Sequence, residues 1–331
     1  MADHLNANGT ETKVCNLQCI DLSNPDIHQS AALIKQACLD TGMFYVINHG
    51  ISNEVMDEAF AQSKKFFGMP ESEKMKILWN KNHRGYQPPV QKDYVESYTA
   101  GVRAHEDDPT NIWPPTDILP RWKEAMQRYQ RETFNVGKTL MKLVALALNL
   151  DIDYFNQQKM LGKDTASICT ILHYGDQESD STKEKLGAVG HTDAGLLTLV
   201  ATDDIVGLEV CRDKYSKPEV WECILPKKRA FIVNVGDMLQ RLSNDSFRSI
   251  FHRVVHREDR YSIAVFLIPA YDCVIECLPG QKSKENPSMY SPITFRDFVN
   301  SRFMEVATGE PLNSIENANI ISSKLVDRGL A

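Results

Sequence analysis

The chain has 331 residues, of which 42% are hydrophobic and 24% are charged. These proportions are typical of a folded globular protein and exclude a disordered or collagen-like chain. The formal net charge is −7, and no segment concentrates lysine and arginine, which argues against a nucleic-acid partner. The polar start and the lack of any apolar run of about 18 residues predict neither a secretory signal nor a membrane span. We therefore expect a cytoplasmic protein; a monomer is the expected state, although nothing in the sequence determines it.

The first half of the chain alternates short strands with helices. The predicted order is strand 17–22, helix 26–41, strand 43–47, helix 52–67, a loop region 80–117 with a short strand near 94–100, and a long helix 119–150. The loop region is rich in Pro, Asn, Asp and Gly, and a loop of this length is usually functional.

After residue 164 the apolar period becomes that of short strands. Eight apolar runs follow one another with turn residues between them: 166–174, 186–190, 196–201, 206–211, 219–224, 229–235, 249–255 and 260–268. This pattern predicts a double-stranded β-helix, or jelly roll. Two further helices, 293–304 and 313–327, are expected to pack back as a lid.

The predicted fold is mainly β with a helical N-terminal layer, α+β overall. We expect three regions: a helical support with substrate-pocket loops over 1–164, a jelly-roll catalytic core over 165–275, and a helical lid over 276–331.

Three side chains of the β-rich region could hold one metal ion. His191 and Asp193 lie two residues apart, so in a strand they point to the same face. His252, in a later strand-like segment, is the best candidate for a third ligand. Two imidazoles and one carboxylate leave coordination positions open, which suits ferrous iron that must bind a chelating molecule and O₂. A structural zinc site would be closed by a fourth ligand.

An arginine and a serine follow the third candidate ligand. Arg260 and Ser262 share one strand face, so a guanidinium and a hydroxyl can hold a carboxylate together. A diacid bound to the metal at one end could reach them with its other carboxylate. Tyr174, at the end of the first core strand, could add a hydrogen bond.

Motifs along nearly the whole chain resemble one family. They include Gly42-Met43-Phe44-Tyr45-Val46-Ile47-Asn48-His49-Gly50, His191-Thr192-Asp193-Ala194-Gly195-Leu196-Leu197-Thr198-Leu199, Asn234-Val235-Gly236-Asp237 and Arg260-Tyr261-Ser262. The chain resembles the plant-type 2-oxoglutarate/Fe(II)-dependent dioxygenases, which are isopenicillin N synthase-like. Within this family it is, by general similarity, most like the hyoscyamine 6-hydroxylase-like group. The resemblance implies an oxidoreductase that uses Fe(II), 2-oxoglutarate and O₂, with ascorbate as reductant.

The resemblance also implies roles for six residues. The iron ligands are His191, Asp193 and His252, and the 2-oxoglutarate anchors are Tyr174, Arg260 and Ser262. The expected reaction hydroxylates or desaturates a small specialised metabolite, such as an alkaloid or a flavonoid, and releases succinate and CO₂. Two alternatives stay open: an iron oxidase of the same fold that does not consume 2-oxoglutarate, and a degenerate small-molecule-binding protein.

The chain departs from the family pattern at two places. The turn between His252 and Arg260 is shorter, but the length difference is even, so Arg260 still faces inward. His173 stands beside Tyr174 where the family often has Asn or Arg, and strand alternation points it away from the cavity. Asn234 and Asp237 are interpreted as turn-fixing residues.

Four residues are candidates for substrate contacts. Phe266 shares the inward face with Arg260 by period-two counting, and its ring could stack on a substrate. Tyr86, Tyr98 and Arg103, from the long loop region, are predicted pocket walls.

Overall fold

The structure is a computed structural model that describes residues 13–89, 95–103, 107–175, 185–213, 216, 218–256 and 258–308, with the backbone alone for 185 and 303–308. The helices are α1 (Ile27–Asp40), α2 (Asn53–Phe67), α3 (Glu71–Lys74), α4 (Trp122–Ala147), α5 (Tyr154–Gln157), α6 (Asp237–Leu242) and α7 (Phe295–Thr308), with a 3₁₀ turn at Met75–Ile77.

Fourteen strands are described. They are β1 (Cys19–Asp21), β2 (Met43–Ile47), β3 (Gly85–Gln87), β4 (Val95–Gly101), β5 (Ile168–Tyr174), β6 (Lys185–His191), β7 (Leu197–Thr202), β8 (Leu208–Cys211), β9 (Trp221–Cys223), β10 (Phe231–Val235), β11 (Phe251–His256), β12 (Arg260–Leu267), β13 (Val274–Ile275) and β14 (Ile293–Thr294). Each of the eight predicted core runs overlaps one of the strands β5 to β12, with ends that differ by a few residues at most.

Those eight strands are divided equally between two facing sheets. The large sheet has the order β1-β2-β10-β7-β12-β5-β4-β3, and the small sheet has the order β6-β11-β8-β9. Successive core strands β5 to β8 alternate between the large sheet and the small sheet. Strands β8 and β9 are neighbours in the small sheet, and from β9 to β12 the strands alternate between the two sheets again. This is the topology of a double-stranded β-helix, so the predicted fold class is confirmed.

The N-terminal region adds strands as well as helices. Strands β1 to β4 extend the large sheet on both sides of its core strands. The predicted boundaries at residues 164 and 275 stay predictions. Helix α7 lies in the predicted lid region, whereas the predicted helix 313–327 lies outside the described residues.

Local capping sets where the first helices begin. The Asp26 carboxylate accepts a hydrogen bond from the Gln29 amide (2.9 Å), and the Ser52 hydroxyl accepts one from the Val55 amide (3.3 Å). Each side chain satisfies an amide that the first turn of a helix leaves without a partner. Within the described ranges, no helix is both long and apolar enough to cross a lipid bilayer.

The two faces of the large sheet have different neighbours. On β12, Ile263, Val265 and Leu267 are buried against the helical layer, in one hydrophobic core with Trp122 and Phe134 of α4. The alternate residues of β12 face the small sheet, where a second cluster of buried residues lies. We call the first side the outer face and the second the inner face. The site lies on the inner face, and the helices stabilise the sheet from behind.

Candidate active site

The three predicted metal ligands come together at one end of the space between the sheets. One nitrogen or oxygen atom from each of His191, Asp193 and His252 lies within 4.8 Å of the other two. Asp193 Oδ1 is 3.6 Å from His191 Nε2 and 3.8 Å from His252 Nε2. The strands explain the convergence, because His252 on β11 is the direct cross-strand partner of His191 on β6.

Main-chain carbonyls orient both imidazoles. His191 Nδ1 donates to the Val189 carbonyl (2.8 Å), and His252 Nδ1 donates to the Ile250 carbonyl (3.0 Å). Because a carbonyl only accepts, each Nδ1 carries the proton and each Nε2 presents a lone pair. Both lone pairs lie on the side of Asp193, as a shared metal ion requires.

Asp193 is held in its charged form. Burial raises the pKa of this carboxyl, but the positive charge that His252 and His191 carry when protonated and the hydrogen bond from Asn234 together outweigh burial, so the pKa is lowered from its ordinary value. Asn234 Nδ2 donates to Asp193 Oδ2 (2.8 Å), which leaves Oδ1 directed at the two histidines. Burial lowers the pKa of His252 and favours the neutral, metal-binding imidazole.

The turn after β10 packs tightly against the loop that carries Asp193. The Asp237 amide donates to the Asp193 carbonyl (2.7 Å). A Cβ atom at Gly236 would lie 2.3 Å from the Gly195 carbonyl oxygen, so only glycine permits this approach. The sequence interpretation of Asn234 and Asp237 as turn-fixing was incomplete, because both hold Asp193. A polar residue in the otherwise apolar strand Phe231–Val235 was the available signal.

The predicted cosubstrate anchors lie on the inner face of the large sheet. Arg260 and Tyr174 are direct cross-strand partners, and Ser262 follows on the same face of β12. All three are buried, at 3%, 3% and 2% exposure. The Arg260 guanidinium lies 4.9 Å from the centre of the Tyr174 ring, and its Nε donates to the Ile205 carbonyl (3.3 Å).

One nitrogen of this guanidinium has no hydrogen-bond partner among the described residues. Arg260 Nη1 is buried and makes no hydrogen bond within the described part of the chain. A buried donor without a partner is costly, which indicates that a ligand completes the site. A carboxylate accepts well from a guanidinium, so this end of the cavity fits an anion.

The structure corrects the prediction for two pocket walls. Tyr98 pairs with Ile171 and Tyr86 pairs with Tyr98, so both rings lie on the outer face of the sheet. Each is 1% exposed in the core with the α4 helix. Their hydroxyls donate to the Ile112 carbonyl (2.7 Å) and to Glu96 Oε2 (2.6 Å), respectively. The alternate residues of β4, among them Ser97 and Thr99, face the cavity instead.

The other two substrate candidates stay predictions. Phe266 lies on the inner face, half-buried, as the cross-strand partner of Thr198. Arg103 follows the end of β4, and its Nη2 is 3.8 Å from Asp108 Oδ1. His173, expected to point away from the cavity, lies on the outer face, where it bonds to Glu96 and Asp259.

Comparisons with known proteins agree with this geometry. Residues 17–123 match the family described as non-haem dioxygenase in morphine synthesis N-terminal, and residues 166–269 match the 2OG-Fe(II) oxygenase superfamily. The fold and the site thus define a non-haem iron oxygenase, and the chain belongs to the 2OG-Fe(II) oxygenase superfamily. It is a 2-oxoglutarate-dependent Fe(II) dioxygenase.

Two plant relatives match almost end to end. Kihadalactone A synthase LFS of Citrus sinensis is 53% identical over 93% of this chain and 97% of its own. Azadirone synthase LFS of Melia azedarach is 49% identical over 93% of this chain and 98% of its own. Among solved structures, the 2-oxoglutarate complex of dioxygenase for auxin oxidation 1 from Arabidopsis thaliana is 27% identical, with a TM-score of 0.71, over 82% of this chain and 100% of that chain.

Proposed function

We propose that His191, Asp193 and His252 hold Fe(II), and that Arg260, Ser262 and Tyr174 hold the distal carboxylate of 2-oxoglutarate. The buried, unpartnered Nη1 of Arg260 is the observation that carries this proposal. It lies in the same space between the sheets as the three convergent ligand atoms. A diacid that chelates the metal at one end would satisfy this donor with its other end.

The chain's own residues would position the reacting molecules and exclude water from the site. Bound Fe(II) would supply the activation of O₂ that is needed to oxidise 2-oxoglutarate to succinate and CO₂ and to oxidise the substrate. Asp193 and His252 are buried, whereas the His191 side chain is 42% exposed. The open side at His191 is where the organic substrate would approach. Hydroxylation or desaturation then depends on which C–H bond is held there.

The substrate is proposed to be an uncharged, oxygen-bearing specialised metabolite. On the strands β4, β5, β12 and β7 of the large sheet, the inner face carries one charged side chain, Arg260, which the cosubstrate would occupy. Its other polar groups there are neutral, including the Thr99 and Thr170 hydroxyls, which lie 3.0 Å apart. Such a wall suits carbonyl or hydroxyl oxygens on an apolar skeleton. The two plant relatives are named as synthases of kihadalactone A and azadirone, so related compounds are the first to test.

Substrate-dependent release of succinate tests the reaction. The Fe(II)-loaded full chain is incubated with candidate metabolites and 2-oxoglutarate, and succinate and oxidised product are quantified together. One succinate for each product supports the proposal. Product without succinate would identify the iron oxidase that does not consume 2-oxoglutarate, and failure to bind Fe(II) would identify a degenerate binding protein.

Arg260→Ala tests the division between the two ends of the site. Loss of a charge-assisted contact should raise the half-saturating 2-oxoglutarate concentration about 10- to 100-fold while Fe(II) affinity stays unchanged. Arg296→Ala, at an exposed arginine paired with Asp272, is the matched control. Equal loss of metal and 2-oxoglutarate binding would contradict the assigned roles. The use of ascorbate, the cytoplasmic location and the monomeric state stay predictions.

A further inference from the structure

A histidine lies between two carboxylates behind the anchor end of the cavity. On the outer face of the sheet, His173 Nδ1 is 2.8 Å from Glu96 Oε1, and His173 Nε2 is 2.8 Å from Asp259 Oδ1. Its ring stacks on Tyr261, with centroids 4.4 Å apart and planes at 13°. With a proton on both nitrogens, the ring donates to both carboxylates at once.

The contacts continue into the helical layer. Glu96 also accepts from Lys74 Nζ (2.6 Å) and from the Tyr86 hydroxyl (2.6 Å). Helix α2 contributes the Phe67 ring, 5.3 Å from the His173 ring. A chain of charged groups thus joins α3, β4, β5 and the turn before β12. We call Lys74, Glu96, His173 and Asp259 the outer-face network.

Two more charged groups lie next to Tyr261. Lys64 Nζ, from α2, is 5.3 Å from the centre of the Tyr261 ring. The Asp203 carboxylate, which follows β7, accepts from the Tyr261 amide (2.6 Å). Lys64 and Asp203 are the charged groups described next to the stacked His173 and Tyr261 rings that do not belong to the outer-face network. Their charges are opposite in sign.

The network is joined through the backbone to the cosubstrate anchors. His173 immediately precedes Tyr174, and Asp259 immediately precedes Arg260. In the register of the sheet, Arg260 pairs with Tyr174 and Tyr261 pairs with His173. The same two peptide segments therefore carry the network on one face and the anchors on the other.

We infer that His173, as an imidazolium, is a positioning residue for 2-oxoglutarate: by bridging Glu96 and Asp259 it fixes the backbone that aims Tyr174 and Arg260 into the cavity. This inference rests on the proposed roles of those two anchors. It connects both departures from the family pattern. Asp259 lies in the shorter turn, and the histidine at position 173 is the group that Asp259 contacts.

The bridge should weaken as pH rises. Burial alone lowers the pKa of His173, but its hydrogen bonds to Glu96 and Asp259 outweigh burial and raise the pKa above the ordinary value of 6.5. A group whose folded-state pKa is raised contributes fully below its ordinary pKa and loses its contribution as pH passes the folded value. The affinity for 2-oxoglutarate should therefore fall as pH increases above the ordinary histidine range.

The test measures binding without turnover. Radiolabelled 2-oxoglutarate is bound to the Fe(II)-loaded full chain by anaerobic equilibrium dialysis at several values between about pH 6 and pH 9, for wild type, His173→Gln and Asp259→Asn. His173→Gln should weaken 2-oxoglutarate binding roughly three- to tenfold at the acid end and flatten the pH profile, with Fe(II) affinity unchanged. Asp259→Asn should do the same to a smaller degree, because Asp259 is half-exposed and solvent screens its charge. Glu258→Gln, in the same turn, is the matched control.

Each outcome decides between alternatives. An unchanged affinity and pH profile in both variants would overturn the inference, and so would a parallel loss of Fe(II) affinity, which indicates general loosening. If His173→Gln does not fold, Asp259→Asn at the exposed turn decides by the same profile. Wild type that binds no 2-oxoglutarate at any pH would instead overturn the proposed function.

Discussion

The two ends of the cavity are held in different ways. At the metal end, main-chain carbonyls of Val189 and Ile250 orient the histidines, and the Asn234 amide orients Asp193. At the anchor end, where Arg260 lies, charged side chains contact one another on the opposite face of the same sheet. Neutral hydrogen bonds thus position the proposed metal ligands, whereas the proposed cosubstrate anchors would be positioned by ionised side chains.

This difference predicts that a change of pH or a substitution at one end of the cavity can alter binding there without altering binding at the other end. Amide and carbonyl groups do not titrate near neutral pH, so the orientation of the metal ligands should not depend on the ionisation of a neighbouring side chain. The orientation of Arg260 should depend on it, because Asp259 and His173 are both ionisable. Substitutions that affect only one end are the direct way to test the comparison.

Asn234→Ala should produce the largest separation. Without the amide, Asp193 Oδ2 loses its 2.8 Å donor, and the carboxylate is no longer held toward the histidines. Loss of such a supporting contact typically lowers metal affinity about 10- to 100-fold. Fe(II) affinity is measured by anaerobic competition with a chelator. Asn286→Ala, at an exposed asparagine, is the control, and an unchanged Fe(II) affinity in Asn234→Ala would contradict the role of the amide.

Gly187→Ala should act on the anchor end alone. A Cβ at this position of β6 would lie 2.4 Å from Cδ1 of the Tyr174 ring, so the ring must move. A displaced Tyr174 should weaken 2-oxoglutarate binding about tenfold, in keeping with the usual cost of overpacking. Val189→Ala, at the 63% exposed position of the same strand, is the matched control. Weakened Fe(II) binding without weakened 2-oxoglutarate binding would reverse the expected pattern.

Local patterns predicted the strands and the convergent side chains. Period-two alternation is a property of a few consecutive residues, which is why the eight core strands and the inward direction of Arg260 and Ser262 could be predicted. The same rule correctly turned His173 to the outer face. Its two partners, however, lie 77 and 86 residues away in sequence, and no local pattern joins them.

The error at Tyr86 and Tyr98 has a related cause. Which residues of β4 face the cavity depends on its register with β5, where Ser97 pairs with Leu172 and Tyr98 with Ile171. A shift of one residue exchanges the two faces. The loop-like composition around this short strand did not determine that register, so the aromatic residues were taken as pocket walls.

Tyr98→Phe should have the smallest effect, and a specific one. The phenyl ring keeps its packing against Phe66 and Trp122, while the Ile112 carbonyl loses a 2.7 Å donor. We expect the free energy of unfolding to fall by about 1 kcal/mol in denaturant titration, the usual worth of one such bond. The KM values for 2-oxoglutarate and for the organic substrate should not change, because the ring faces the helices. Ser97→Ala, one residue earlier on the cavity side, should change the substrate KM and spare stability, and the reverse result would place Tyr98 in the pocket.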